Sequence, residues 1–169
     1  MNYEEWKRSV PHTITDDTLW KMEAYRLALF LADLGWYDVT KLISDKRTLD
    51  LSDQLYRAIG SISANLAEGY SRNTGKDRAR FYEYALGSGR ESRDWYYKGR
   101  HVLCEEVTSH RLRLLTQVIR LLLTMVPQQR GHGVREDSTS YRPDLGSTTV
   151  DEKKLETLLQ SVPFAESAP

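Results

Sequence analysis

Residues 52–72 read SDQLYRAIGSISANLAEGYSR, and this stretch predicts a helix with two faces of opposite character. Its apolar side chains recur at three- and four-residue steps and fall within roughly 60° of one another at about 100° per residue. They are Leu55, Ile59, Ile62 and Leu66. The opposite face is the polar stripe, and it consists of Arg57, Ser61, Asn65, Glu68 and Arg72. We expect the apolar stripe to enter a core and the polar stripe to meet another surface.

Apolar periodicity elsewhere in the chain predicts three more long helices. Together the four helices span about residues 17–43, 51–69, 75–103 and 108–126. Thr74 followed by Asp77 predicts a capped start for the third helix, and Pro127 is expected to end the fourth. Four amphipathic helices with short connections predict an all-α fold, an up-down-up-down, left-handed four-helix bundle over residues 16–128.

The fourth helix carries two apolar stripes. One consists of Leu112, Leu115, Ile119 and Val126, and the other of Leu114, Val118, Leu121 and Met125. Two stripes exceed what one bundle core needs, so we expect one of them to meet another subunit.

The two ends of the chain differ from the predicted bundle. Residues 1–15 are expected to form an irregular N-terminal arm, because Pro11 and His12 break any early helix. Residues 129–169 contain many Gly, Ser, Thr and Pro residues and predict a flexible tail. Within this tail, the leucines at 155, 158 and 159 predict a short amphipathic helix over residues 151–160 that docks on the bundle or on a partner.

Three motifs in the second and third helices carry a resemblance to a known family. They are QLYRA at 54–58, SISANLAEG at 61–69 and FYEYALGS at 81–88. Over about residues 16–128 the chain resembles the small four-helix-bundle proteins named after the intervening sequences of 23S ribosomal RNA genes. It is also similar to the accessory variability proteins of diversity-generating retroelements. The resemblance implies a homo-oligomer, a ring-shaped pentamer in this family, that binds nucleic acid or a nucleic-acid enzyme such as a reverse transcriptase.

The composition fits one soluble globular domain. The chain has 169 residues, of which 40% are apolar and 28% charged, and its net charge is zero. No overall field therefore attracts it to nucleic acid or to a membrane. The charge is uneven, however, because residues 72–100 hold eight Lys and Arg residues against four Asp and Glu residues. The third helix is the basic part of the chain.

One face of the third helix interleaves aromatic residues with arginines. Tyr82, Leu86, Arg90, Arg93, Tyr97 and Arg100 share an arc of roughly 80° on a helical wheel. Aromatic rings can stack on bases while arginines pair with phosphates, so this pattern suits nucleic acid. It also suits a protein interface, or a solvated face braced by the pairs Arg90–Asp94 and Asp94–Lys98.

A second basic cluster surrounds the predicted start of the third helix. Arg72, Lys76, Arg78 and Arg80 lie where backbone N–H groups also favour an anion, although such clusters are often only solvated. With the first face they complete the candidate nucleic-acid-binding residues. These are Arg72, Lys76, Arg78, Arg80, Arg90, Arg93, Tyr97, Lys98 and Arg100.

The polar stripe of the second helix is the candidate assembly surface. Glu68 lies between arginines, and it could act as a general base only with a perturbed pKa and a pocket. A charge-paired network that sets helix or subunit register explains the stripe better. The predicted assembly residues are Arg57, Ser61, Asn65 and Glu68.

No motif in the sequence predicts catalysis, a cofactor or a metal. His101, Cys104 and His110 lack a fourth ligand at zinc-site spacing, and Gly87-Ser88-Gly89 lies inside a helix rather than in a phosphate loop. A single cysteine and the lack of a charged-then-apolar leader favour the reducing cytoplasm. Residues 112–126 are too short and too charged to cross a bilayer.

Two functions remain open from the sequence. The first is a non-enzymatic, ring-like homo-oligomer that binds RNA, DNA or a nucleic-acid enzyme. The alternative is a protein-interaction scaffold that does not bind nucleic acid.

Overall fold

The fold is an all-α helical bundle, seen in a computed structural model that describes residues 2–131 and 152–165; these ranges contain no strand. The α-helices are α1 (Tyr3–Ser9), α2 (His12–Thr15), α3 (Glu23–Ile43), α4 (Leu49–Tyr70), α5 (Gly75–Leu103), α6 (Glu105–Arg130) and α7 (Glu152–Gln160). Short 3₁₀ turns at Thr18–Lys21 and Lys46–Thr48 precede α3 and α4. In the described part of the chain, no helix is long and apolar enough to cross a membrane.

Helices α3 to α6 form the bundle that the sequence predicts. Each packs against the next along the chain, and α6 returns to pack against α3. The apolar stripe of α4 (Leu55, Ile59, Ile62 and Leu66) is fully buried, which confirms it as a core face. Burial of each such side chain contributes about 1.5–3 kcal/mol relative to an exposed position.

The contact between α4 and α5 is closest at Gly69. A Cβ atom built on Gly69 would lie 2.7 Å from the Tyr82 ring and 2.9 Å from the Cβ of Phe81. Tyr82 is consequently only 2% exposed. The expectation that Tyr82 lies with the arginines on a surface face of α5 is therefore wrong.

Helix α3 begins later than predicted. Asp17 accepts a hydrogen bond from the backbone N–H of Leu19 at 2.8 Å and starts a 3₁₀ turn rather than the long helix. Met22 then adopts extended backbone angles, so α3 starts at Glu23.

The N-terminal arm is helical, which corrects the expectation of an irregular arm. Asn2 and Glu5 form a reciprocal capping box, with both backbone-to-side-chain distances at 2.9 Å. Trp6 is 1% exposed, packs on Phe30 and donates from its indole nitrogen to Asp33 at 2.5 Å. Pro11 does end α1, but the residues before it nucleate a helix and bury its aromatic side chains.

Helix α6 does not end before Pro127 as predicted but continues to Arg130. Pro127 has no N–H group to donate to the Leu123 carbonyl, so α6 loses one backbone hydrogen bond. Because the Leu123 side chain lies at the surface, water can donate to this carbonyl instead. Both apolar stripes of α6 also lie in the interior of the single chain at Leu114, Leu115, Val118 and Ile119. The expectation that one stripe is left over for another subunit is therefore wrong for these positions.

Helix α7 is present where the leucine spacing predicts it, and it packs on α6 and α1. Leu155 and Leu158 are buried and join the core of the bundle. The rest of the predicted flexible tail, residues 132–151 and 166–169, lies outside the described residues.

Candidate nucleic-acid interface

Three predicted side chains of α5 lie together at the surface. Arg90, Arg93 and Tyr97 are exposed, Tyr97 by 56%, and they line a shallow cleft of about 360 Å³. Leu112 of the neighbouring helix α6 closes the cleft on one side. We call Arg90, Arg93, Tyr97 and Arg100 the α5 stripe.

Arg100 organises the aromatic part of the α5 stripe. Its guanidinium carbon lies 4.1 Å from the centre of the Tyr97 ring, and its Nη1 donates to the Tyr97 carbonyl at 2.7 Å. The arginine therefore braces one side of a ring that remains more than half exposed. Such a ring can stack on a base while the neighbouring arginines contact phosphates.

The two arginines in the middle of the α5 stripe have charge available for a ligand. Neither Arg90 nor Arg93 forms an ion pair or hydrogen bond with any side chain that the structure describes. The nearby acid, Asp94, is bound at 2.5 Å to Lys98. The predicted Arg90–Asp94 brace is therefore absent from the described residues, and the predicted Asp94–Lys98 pair is present.

Lys98, another predicted nucleic-acid-binding residue, is held in two internal contacts. Its Nζ lies 4.4 Å from the centre of the Trp95 ring in addition to pairing with Asp94. Trp95 donates in turn to Glu91 at 3.2 Å. Lys98 is therefore occupied by residues of its own helix and does not line the α5 cleft.

The second basic cluster is largely engaged in holding the α4–α5 turn. Arg72 pairs with Glu68 and lies over the Phe81 ring at 4.6 Å. Arg78 donates to the Arg72 carbonyl at 2.8 Å and reaches Gln129 of α6 at 3.5 Å.

Two further members of this cluster lie beside a helix start that is already capped. The backbone N–H of Asp77 donates to the Thr74 hydroxyl at 3.1 Å, which confirms the predicted cap. Arg80 donates to the Tyr84 hydroxyl at 2.7 Å, whereas Lys76 is exposed. The negative charge of Asp77, in the first turn of α5, weakens the attraction of this helix end for a phosphate.

The predicted assembly residues use their polar groups within α4. Arg57 pairs with Asp53 at 2.7 Å, and the Ser61 hydroxyl donates to the Arg57 carbonyl at 2.8 Å. Asn65 donates to the Ser61 carbonyl at 2.8 Å, and Glu68 pairs with Arg72. These are bonds between residues four apart, not one continuous network, and the stripe remains at the surface for a partner to contact.

The bundle core contains a buried polar network that the sequence motifs did not predict. Asp38 of α3 and Arg111 of α6 are fully buried, and Arg111 donates to both carboxylate oxygens, at 2.7 and 3.1 Å. The hydroxyl of Tyr96 also donates to Asp38, at 2.7 Å. Burial is the main reason that the pKa of Tyr96 lies well above its ordinary value. The network thus joins three bundle helices through one carboxylate.

The same network reaches the C-terminal segment through His110. His110 Nε2 donates to the Leu158 carbonyl at 2.8 Å, so its Nδ1 accepts from Arg111 at 2.8 Å. Arg111 also donates to the Pro163 carbonyl at 2.9 Å. Burial, aided by the positive charge of Arg111, lowers the pKa of His110 to about 4. The imidazole is therefore neutral at pH 7, and it fastens α7 to α6.

A signal for this network was present in the sequence. Asp38 continues the apolar series of Leu31, Leu34 and Leu42 on α3, and Arg111 occupies a core position of α6. Opposite charges at inward positions of two helices predict a buried pair. In the described ranges, no group of three or more His, Cys, Asp or Glu side chains could hold a metal ion.

The family model described as 23S rRNA-intervening sequence protein matches residues 21–124. No curated protein matches the chain.

Proposed function

The chain belongs to the family of 23S rRNA-intervening sequence proteins, and on that premise we propose that it is a non-enzymatic, homo-oligomeric bundle that binds nucleic acid. The nucleic acid is bound through the α5 stripe, either alone or together with a nucleic-acid enzyme such as a reverse transcriptase. We propose the cytoplasm as its compartment, since Cys104 is an exposed free thiol.

The observation that carries this proposal is the availability of the α5 stripe. Arg90 and Arg93 lack internal acid partners among the described residues, and Tyr97 offers a braced ring between them and Arg100. Arginines spaced along one helix face can follow a phosphate backbone, while the ring stacks on a base. Glu68, which was considered as a general base, is engaged in an ion pair with Arg72.

A protein-interaction scaffold is the second candidate function. It is favoured by the zero net charge and by an exposed aromatic pair at the α3–α4 surface. Trp36 and Tyr56 have their ring centres 6.1 Å apart and are both about half exposed. Aromatic side chains at the surface are typical anchors of protein contacts.

The test is binding of a labelled single-stranded RNA, followed by fluorescence anisotropy between about 50 and about 200 mM salt. Replacement of Arg90 and Arg93 by Ala removes two phosphate contacts. The slope of log K against log salt should then become shallower by about 1.4 for each chain of the oligomer that contacts the RNA, at about 0.7 per contact for single strands. Tyr97→Leu should instead weaken binding by about 1–3 kcal/mol with an unchanged slope, because base stacking is uncharged.

A matched control removes the same charge from another part of the surface. Arg8 of α1 and Arg47 of the α3–α4 connection are exposed, so the Arg8→Ala/Arg47→Ala variant should bind RNA like the parent chain. Light scattering on every sample should give a mass near five times the 19.6 kDa of one chain. If the α5 variant loses the oligomer but still binds RNA, the α5 stripe is a subunit interface and RNA binds to another surface. If no RNA binds at low salt, the scaffold function replaces the first.

A further inference from the structure

A second cleft, separate from the α5 stripe, lies between α6 and α7. Its volume is about 1260 Å³, which exceeds the range of about 300–1,000 Å³ common for small-molecule sites. We call it the α6–α7 cleft and define it by Arg113, Thr116, Gln117 and Arg120 of α6 and by Lys153 and Thr157 of α7.

The α6–α7 cleft carries an excess of positive charge. Arg113 and Arg120 lie two helical turns apart on one face of α6, about 10 Å along its axis, and Lys153 lies across the cleft on α7. None of these three side chains forms an ion pair with a residue in the described ranges. The acids of the lining, Glu105 and Glu106, lie in the first turn of α6. The middle of the cleft is therefore suited to an anion.

Gln117 supplies a second, independent observation that indicates a ligand. Its Oε1 is buried, and it is the one buried side-chain N or O atom without a hydrogen-bond partner among the residues that the structure describes. An unsatisfied buried acceptor costs about 1–3 kcal/mol, so such atoms are rare and call for an explanation. Because Gln117 lines the cleft, a rotation of its side chain would bring this oxygen to a ligand that donates an N–H or O–H group.

The wall of the cleft on the α7 side is fixed in place before any ligand binds. His110 holds the Leu158 carbonyl at 2.8 Å, and Arg111 holds the Pro163 carbonyl at 2.9 Å. His110, Leu158 and Pro163 themselves line the cleft. A site whose wall is held by buried hydrogen bonds spends little binding energy on ordering the protein.

We propose that the α6–α7 cleft binds a free nucleotide. Its phosphates contact Arg113, Arg120 and Lys153, and an amino or hydroxyl group of its base or sugar donates to Gln117 Oε1. Arginine and lysine are the side chains that most often bind phosphate, and the volume accommodates both parts of the ligand. This site uses a different surface from the α5 stripe and does not depend on the RNA proposal.

The test is calorimetric titration of the full chain with ATP. Arg113→Ala/Arg120→Ala should weaken ATP binding at least about tenfold, because it removes two charge-assisted contacts. Arg8→Ala/Arg47→Ala, which removes equal charge from another part of the surface, should bind ATP like the parent. Inorganic triphosphate and adenosine serve as probes for the two halves of the ligand, and each should bind more weakly than ATP.

Gln117→Met separates a ligand role from a structural one. Removing an acceptor that has no partner should leave the melting temperature unchanged or higher, while ATP binding falls about tenfold. The nucleotide assignment is overturned if ATP does not bind the parent chain at millimolar concentration. It is also overturned if triphosphate binds as tightly as ATP and Gln117→Met has no effect.

Discussion

At the scale of single residues, Asp38 and Arg111 determine how the bundle core is held together. Each is fully buried, and the carboxylate accepts hydrogen bonds from Arg111 and from Tyr96. A buried pair adds little stability over an apolar pair, but loss of one partner leaves an uncompensated charge in the interior. Asp38→Asn should therefore lower the free energy of unfolding by about 3–5 kcal/mol in urea titrations. Asp53→Asn, which breaks an exposed pair with Arg57, should cost less than about 1 kcal/mol; equal losses would contradict this role for Asp38.

His110 should make the stability of the fold depend on pH in the mildly acidic range. Its folded-state pKa of about 4 lies below the ordinary value of 6.5, so the unfolded chain binds the extra proton first. Stability is then complete above about pH 6.5 and falls as the pH drops toward 4, by at most about 1.4 kcal/mol per pH unit. Denaturant unfolding at several pH values should show this slope, and His110→Gln should flatten it. His101→Gln, at an exposed position, should keep it; a slope that survives His110→Gln would show that another group is responsible.

At the scale of the helices, Gly69 sets the distance between α4 and α5. An alanine Cβ there would clash with Tyr82 at 2.7 Å, so Gly69→Ala should destabilise the chain by about 1–3 kcal/mol. Gly60, on the same helix, has no atom within 4 Å of a built Cβ. Gly60→Ala should therefore stabilise the fold by about 0.5–1 kcal/mol in urea unfolding, because alanine favours a helix. A Gly69→Ala chain as stable as the parent would show that α4 and α5 are not packed this closely.

The helices also show which parts of the fold the sequence could predict. The four long helices follow from apolar periodicity, and α5 has the predicted bounds because Thr74 caps its start. The expectation of an irregular arm rests on Pro11 and leaves out the Asn2–Glu5 capping box, which precedes Pro11 in the chain and starts α1. At α6, the expected helix end at Pro127 does not occur, because a proline near a helix end removes only one backbone hydrogen bond.

The candidate sites were predictable to different degrees. The surface position of Arg90, Arg93 and Tyr97 follows from a helical wheel, since exposure depends on local periodicity. Local periodicity places Asp38 and Arg111 each at an inward position of its helix, but the two residues are 73 positions apart, and no local pattern identifies one as the partner of the other. The α6–α7 cleft depends in the same way on where α7 docks, which the leucine spacing alone does not specify.

At the scale of the whole molecule, charge distribution matters more than net charge. The chain carries equal numbers of acidic and basic residues, yet most of the ion pairs in its described ranges join neighbours on one helix or turn. Such pairs cancel locally and leave the unpaired arginines of the α5 stripe to act on a ligand. A ring of several chains would repeat the stripe around its surface, so that weak contacts from each copy add up. A neutral protein can in this way bind a polyanion.

The α5 stripe is tested most directly by comparing the salt dependence of RNA binding between the parent chain and Arg90→Ala/Arg93→Ala. Binding through the stripe requires the slope of log K against log salt to become shallower in the variant by about 1.4 for each chain that contacts the RNA. The control variant Arg8→Ala/Arg47→Ala should retain the parent slope. Identical slopes for all three proteins, or no RNA binding by the parent at about 50 mM salt, would contradict nucleic-acid binding by α5.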